Sequence, residues 1–167
     1  MALDRRQFLG RLTATLGAAL SAAIGVPLIG AAVGPALHRD SAPEVALGSP
    51  DSFVPGVPRM VSFGVTKEDG YLRTTATRAV WVYRTAADEV IVYNARCTHL
   101  GCLVDYQPGA KTFLCPCHGG VFAAATGQVE DGPPPRPLDR LEVRGDGGQL
   151  VVRYRDFLAG TPDQVPL

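Results

Sequence analysis

All four cysteines of this chain and two of its three histidines fall in two short matching stretches, CTHLGC at 97–102 and CPCHGG at 115–120. Fifteen residues separate His99 from Cys115. Each stretch offers one thiolate and one imidazole, Cys97 with His99 and Cys115 with His118. Two loops meeting at a common point would therefore present two sulfur and two nitrogen donors. The leftover Cys102 and Cys117 hold matching places in the loops. In an oxidising compartment they can form a disulfide clamping one loop to the other, worth ~2–4 kcal/mol. Three chemistries compete for such a set. A Cys2His2 zinc site has suitable ligand types, although structural zinc loops usually open C-x2–4-C and the C-x-H step here is tight. Two plain disulfides would leave both histidines unexplained. A [2Fe–2S] cluster with two cysteines on one iron and two histidines on the other accounts for both residue types.

The elements that must position these loops read as short strands. VIVYN (90–94) delivers the chain to Cys97, and TFL (112–114) delivers it to Cys115. Val61, Phe63 and Val65 alternate, and Lys67 to Gly70 reads as a turn. AVWVYR (79–84) and VIVYN flank a turn at 86–89. LEVRG (141–145) and QLVVRY (149–154) flank Asp146-Gly147-Gly148, a hairpin signal. With 19 Gly, 14 Pro and 19% charged residues, the composition favours a compact, loop-rich, mainly β domain over a helical bundle. A small antiparallel β domain is expected over 59–155, its metal-binding lobe at about 95–138, with Trp81 and the tyrosines in its core. The tail at 156–167 carries little signal. Sixteen basic residues balance sixteen acidic ones, so no strong field argues for nucleic acid or an acidic partner.

Residues 1–11 carry Arg5, Arg6 and Arg11, and 12–37 carry no charge at all. As a helix those 26 residues would measure ~39 Å, enough to cross a ~30 Å hydrocarbon core. A cleaved secretory signal would be shorter and end in an A-x-A-like site, and no such triplet lies between Gly10 and Gly48. An uncleaved transmembrane anchor is expected, kinked at Pro27. Its Ala and Gly content suits packing on partner helices. Arg5-Arg6 followed by Phe8-Leu9 resembles the twin-arginine export signal, which implies export of an already folded protein. The positive-inside rule places the N-terminus inside and everything after Leu37 outside. The stretch 38–58, with Pro43, Pro50, Pro55 and Pro58, reads as a hinge or tether.

The arrangement C-x-H-L-G-C … C-P-C-H-G-G resembles the Rieske [2Fe–2S] iron–sulfur protein of bacterial cytochrome bc complexes. The specific match runs from Cys97 to about Phe122, with looser likeness in the anchor, the tether and GPPPRPL (132–138). The resemblance implies one [2Fe–2S] cluster, with Cys97 and Cys115 on the inner iron and His99 and His118 on the outer one, and a Cys102–Cys117 disulfide. It implies that Leu100 shields the cluster and that a proline loop containing Pro134 covers it. Many high-potential members carry Ser and Tyr where this chain has Gly120 and Phe122. Both hydroxyls are absent here, so a potential in the lower part of the ~−150 to +300 mV Rieske range is expected, suiting menaquinol.

The implied function is one-electron transfer from quinol to a c-type cytochrome, with His99 and His118 taking part in catalysis. The chain would be inactive alone, working beside a cytochrome b subunit in a dimeric complex of a bacterial cytoplasmic membrane, its head on the extracytoplasmic face. The alternative is the Rieske small subunit of a periplasmic oxidase such as arsenite oxidase.

Overall fold

A computed structural model describes residues 4–37, 42–69 and 72–167 of the chain. It divides into two compact units at Ser41/Ala42. The first is α1, Arg5–Leu37. The helix is continuous through Pro27 and includes the basic residues expected to precede it. Its stretch Arg5–Gly34 is long and apolar enough to cross a membrane.

The second unit is antiparallel β. Its strands are β1 (Glu44–Gly48), β2 (Arg59–Asp69), β3 (Leu72–Arg84), β4 (Val90–Asn94), β5 (Asp105–Gln107), β6 (Thr112–Cys115), β7 (Gly120–Ala123), β8 (Val129–Asp131), β9 (Arg140–Asp146) and β10 (Gln149–Arg153). A six-stranded sheet runs β1-β10-β9-β4-β3-β2, and a four-stranded sheet runs β5-β6-β7-β8. The period-two pattern of β3 and β4 explains how one sheet serves two cores. Val80, Val82 and Val92 point to one side, where Leu47, Phe53, Leu141, Leu150 and Val152 join them. Trp81, Ile91 and Tyr93 point to the other, where Cys97, Phe113, Cys115 and Phe122 lie. Trp81 donates its indole N–H to the Val104 carbonyl at 3.0 Å, so its polar atom is satisfied within the core. The sheet curls around the first core, since Phe63 on β2 meets Tyr154, just beyond β10, edge to face at 5.2 Å.

Two boundaries differ from the expected ones. The tether drawn at 38–58 is too long, because β1 pairs with β10 through Glu44↔Arg153 and Val45↔Val152. Phe53 is buried, and the Arg59 guanidinium stacks over its ring at 4.7 Å. β1 covers what would otherwise be an open edge of β10, and the prolines fall outside its ladder. Residues 44–58 thus belong to the folded head, and 38–41 lie outside the described residues. The turn placed at Lys67–Gly70 moves outward, because β2 stays paired with β3 as far as Asp69↔Leu72; residues 70 and 71 are likewise outside the described set. The Asp146-Gly147-Gly148 signal does mark a hairpin, with Gly147 and Gly148 at φ 55° and 79° between β9 and β10. Positive φ at both residues is what a two-residue turn with the correct twist needs.

Candidate metal centre

The two loops are built alike. After β4, the Cys97 carbonyl accepts the N–H of Gly101 at 2.9 Å; between β6 and β7, the Cys115 carbonyl accepts the N–H of Gly119 at 3.1 Å. Both glycines sit at positive φ, 78° and 71°, where a side-chain-bearing residue would be strained. Each cysteine therefore begins a single tight turn with its histidine inside it. The first loop is closed again by Cys97 N–H to the Cys102 carbonyl at 2.7 Å. The second is anchored by the Cys115↔Gly120 register of its hairpin.

The candidate side chains converge as follows. Cys102 and Cys117 are disulfide-bonded, joining the loops. Cys97 and Cys115 are free and buried. The His99 and His118 rings lie 4.8 Å apart, nearly perpendicular; His118 is exposed and His99 half-buried. Among the described residues, Nδ1 of His99 is a buried polar atom with no hydrogen-bond partner. A buried nitrogen without a partner is costly unless something binds it. The sulfurs of Cys102, Cys115 and Cys117 lie within 4.8 Å of one another. Two of these form the disulfide, so that trio is not a set of three thiolate ligands. Burial pushes the Cys97 thiol up to about 11, and the neighbouring Cys115 thiol adds to this. The N–H groups of His99 and Leu100, directed at the sulfur, pull the other way. A neutral thiol is no metal ligand, so loading this centre must expel its proton.

The proline loop packs on the second turn. A Cβ built on Gly132 would lie 2.8 Å from the Gly119 carbonyl oxygen and 2.8 Å from the Gly120 Cα; one built on Gly120 would lie 2.7 Å from the Pro134 ring. The absence of a hydroxyl at 120 is thus matched by the absence of room for one. Phe122 is fully buried in the same apolar cluster as Cys97 and Cys115. Leu100 is 63% exposed. Gly132→Ala combines positive φ with collisions against backbone. It should cost ~2 kcal/mol, read as a lower urea midpoint of the loaded protein; an unchanged midpoint would mean that the proline loop moves freely.

Several supporting residues gave no signal in the sequence. Arg96 donates to the Gly101 carbonyl at 3.2 Å and lies 3.6 Å from Asp156. Asp156 also holds Arg78 and Tyr154. Burial alone would raise the Asp156 carboxyl, but the Tyr154 hydroxyl and the two guanidinium groups outweigh it and hold the carboxyl below its ordinary value. Thr98 and Arg136, both buried, join the first loop to the proline loop.

Two thiols, an orphaned imidazole nitrogen and a second imidazole beside it fit a [2Fe–2S] group with two sulfur and two nitrogen ligands. Comparison with known proteins agrees in kind. The model of the Rieske [2Fe-2S] domain matches residues 56–143, more than half of the chain. The menaquinol:cytochrome c reductase iron-sulfur subunit of Geobacillus thermodenitrificans is 29% identical over 153 residues, covering 90% of each chain. Its Bacillus subtilis counterpart is 27% identical over the same length, covering 90% of this chain and 91% of that one. The cytochrome b6-f complex iron-sulfur subunit of Chlorobaculum tepidum is 32% identical, over 89% of this chain and 75% of its own.

Proposed function

This chain belongs to the Rieske [2Fe-2S] domain family, and from that premise we propose that it is the membrane-anchored electron-transfer subunit of a quinol–cytochrome c reductase. The observation that carries this reading is the paired set Cys97, Cys115, His99 and His118, with a buried histidine nitrogen left unpartnered. Likeness to menaquinol:cytochrome c reductase subunits over nine-tenths of both chains supports the quinol reductase over the oxidase alternative.

In this reading Cys97 and Cys115 hold one iron, and His99 and His118 hold the other. Bound there, a [2Fe–2S] group supplies a one-electron acceptor whose oxidised core carries no net charge, since imidazoles add none, so it reduces more easily than an all-cysteine cluster. The chain's own residues do the rest. His99 turns Nδ1 inward, which leaves Nε2 as the nitrogen able to accept a hydrogen bond and then a proton from a quinol hydroxyl. His118 offers an exposed ring beside it, and exposed Leu100 offers apolar surface to the quinol ring. Buried Phe122 and Pro134 keep water from the cysteine side. The second quinol electron would pass to a haem of a cytochrome b subunit, and the first to a c-type cytochrome, in a dimeric complex. Arg5, Arg6 and Arg11 favour an N-terminus inside and a head outside, with export as a folded protein through a twin-arginine signal within 1–11. The anchor at 12–37 and the head would be separate parts, with the cluster-binding lobe at about 95–138.

A redox titration of the full chain in membranes, followed by electron spin resonance at several pH values, tests this reading. The expected result is a Rieske-type signal with a low midpoint. That midpoint falls as pH rises, because reduction makes the ligand imidazoles hold their protons more tightly. A high midpoint would overturn the menaquinol assignment, and no signal from iron-loaded protein would overturn the ligand set. In the same titration Phe122→Tyr should raise the midpoint by ~50 mV. This is roughly the tenfold gain in reduction equilibrium, ~59 mV for one electron, expected of a hydroxyl donating to a more electron-rich site.

A further inference from the structure

Arg136 lies inside the proline loop and is 6% exposed. Its guanidinium makes five hydrogen bonds, the full number it can donate. Nε and one Nη2 hydrogen bond bracket the two Asp139 carboxylate oxygens, both at 2.9 Å. Nη2 also donates to the Leu158 carbonyl at 3.0 Å. Nη1 donates to the Thr161 carbonyl at 2.6 Å and to its hydroxyl at 3.0 Å. A buried ion pair this well satisfied holds its surroundings in one arrangement. Two further bonds carry that arrangement to the centre. The Arg136 carbonyl accepts the Thr98 hydroxyl at 2.7 Å. Gly160, between the tail residues that Arg136 grips, donates its N–H to the Thr98 carbonyl at 2.8 Å. That carbonyl belongs to the peptide unit joining Thr98 to His99. A Cβ on Gly160 would already stand 3.4 Å from the His99 carbonyl oxygen, and φ there is +78°.

We propose that Arg136 is a positioning residue for His99, acting through the C-terminal segment 158–161, so that the tail beyond the matched family domain is a working part of the cluster-binding apparatus. The inference rests on the reading of His99 as a ligand. The guanidinium fixes the tail, the tail fixes the Thr98–His99 peptide, and the peptide fixes the direction in which the imidazole points. Partners of this kind, one step removed from the ligands, alter metal retention and redox properties while touching neither metal nor substrate.

The test uses full-length, cluster-loaded protein in membranes with three changes: Arg136→Lys, Gly160→Ala, and truncation after Phe157. Lysine keeps the charge opposite Asp139 but cannot supply the fork that reaches both the carboxylate and the tail. Each variant is read by midpoint potential, by the shape of its spin-resonance signal, and by the rate of iron release to a chelator. Arg136→Lys and the truncation are expected to alter the midpoint and signal shape alike and to speed iron release by ~10-fold. Gly160→Ala should move the same readouts in the same sense, to a smaller extent. Wild-type potential and signal shape in all three would overturn the proposal, even with a lowered melting temperature, because a merely structural role moves stability alone. If truncation removes the cluster entirely, Arg136→Lys and Gly160→Ala decide by the same readouts. Absence of a Rieske signal from the unaltered chain would instead overturn the ligand reading.

Discussion

A full-length chain carrying Cys115→Ser is expected to hold no acid-labile sulfide, to give no Rieske signal, and to leave quinol-dependent cytochrome c reduction at background. The change looks mild in volume. Cys115, however, is buried at the start of the second turn, among Phe113, Phe122 and Cys97. An alkoxide is a far poorer ligand than a thiolate for such a centre, and the neutral hydroxyl would sit unpaired in an apolar cluster. Three remaining donors from two loops cannot close the site. The assays are iron and sulfide content, spin resonance, and reductase activity of membranes. Retention of a normal cluster in Cys115→Ser would remove this residue from the ligand set and reopen the metal assignment.

Removing the Cys102–Cys117 bridge by a double change to serine should lower the melting temperature of the metal-free protein by ~10 °C. The bridge spans a sequence separation of 15. Closing a loop of that size is worth ~3 kcal/mol by the chain-entropy argument, and each kcal/mol moves a head of this size by a few degrees. In the loaded protein the loss should be smaller. With the proposed ligands drawn from both turns, the metal group would be a second cross-link over nearly the same loop, and two constraints on one loop do not add. Calorimetry of both forms checks this, and equal losses with and without metal would contradict the idea that the two cross-links share one loop.

What the sequence revealed and what it hid divide along a physical line. Chemistry that requires particular side chains stands out in a bare sequence. Cysteine and histidine are scarce, so two matching stretches were enough to single out residues that the structure brings into contact. The Asp146-Gly147-Gly148 turn was equally plain, because only glycine takes positive φ freely. The start of the head was hidden because β1 has just five residues and its flanking prolines read as linker. The role of the tail was hidden for a different reason. Leu158, Gly160 and Thr161 act mainly through backbone carbonyls and an N–H, groups that every residue owns and no residue type announces. Arg136 was visible within GPPPRPL, but its partners in the tail lie 22 and 25 positions away, and nothing local in the sequence points to them.

The pairing of β1 with β10 also sets a leash. If the head swings between a quinol site and a cytochrome, its radius is fixed by the chain between the last residue of the helix, Leu37, and the first paired residue, Glu44. Those seven peptide steps reach at most ~25 Å fully extended. A free segment as far as Pro58 would have reached roughly three times that. Glu44 must then stay within that smaller radius of the helix end, and the dimensions of the head set how much farther its metal centre travels. Any longer journey would require peeling β1 off the sheet and drawing Leu47 and Phe53 out of the core. Reach and stability are coupled in this chain, and since the Pro43 carbonyl already accepts the Tyr154 N–H at 2.9 Å, lengthening the chain ahead of Ala42 should extend the first without touching the second.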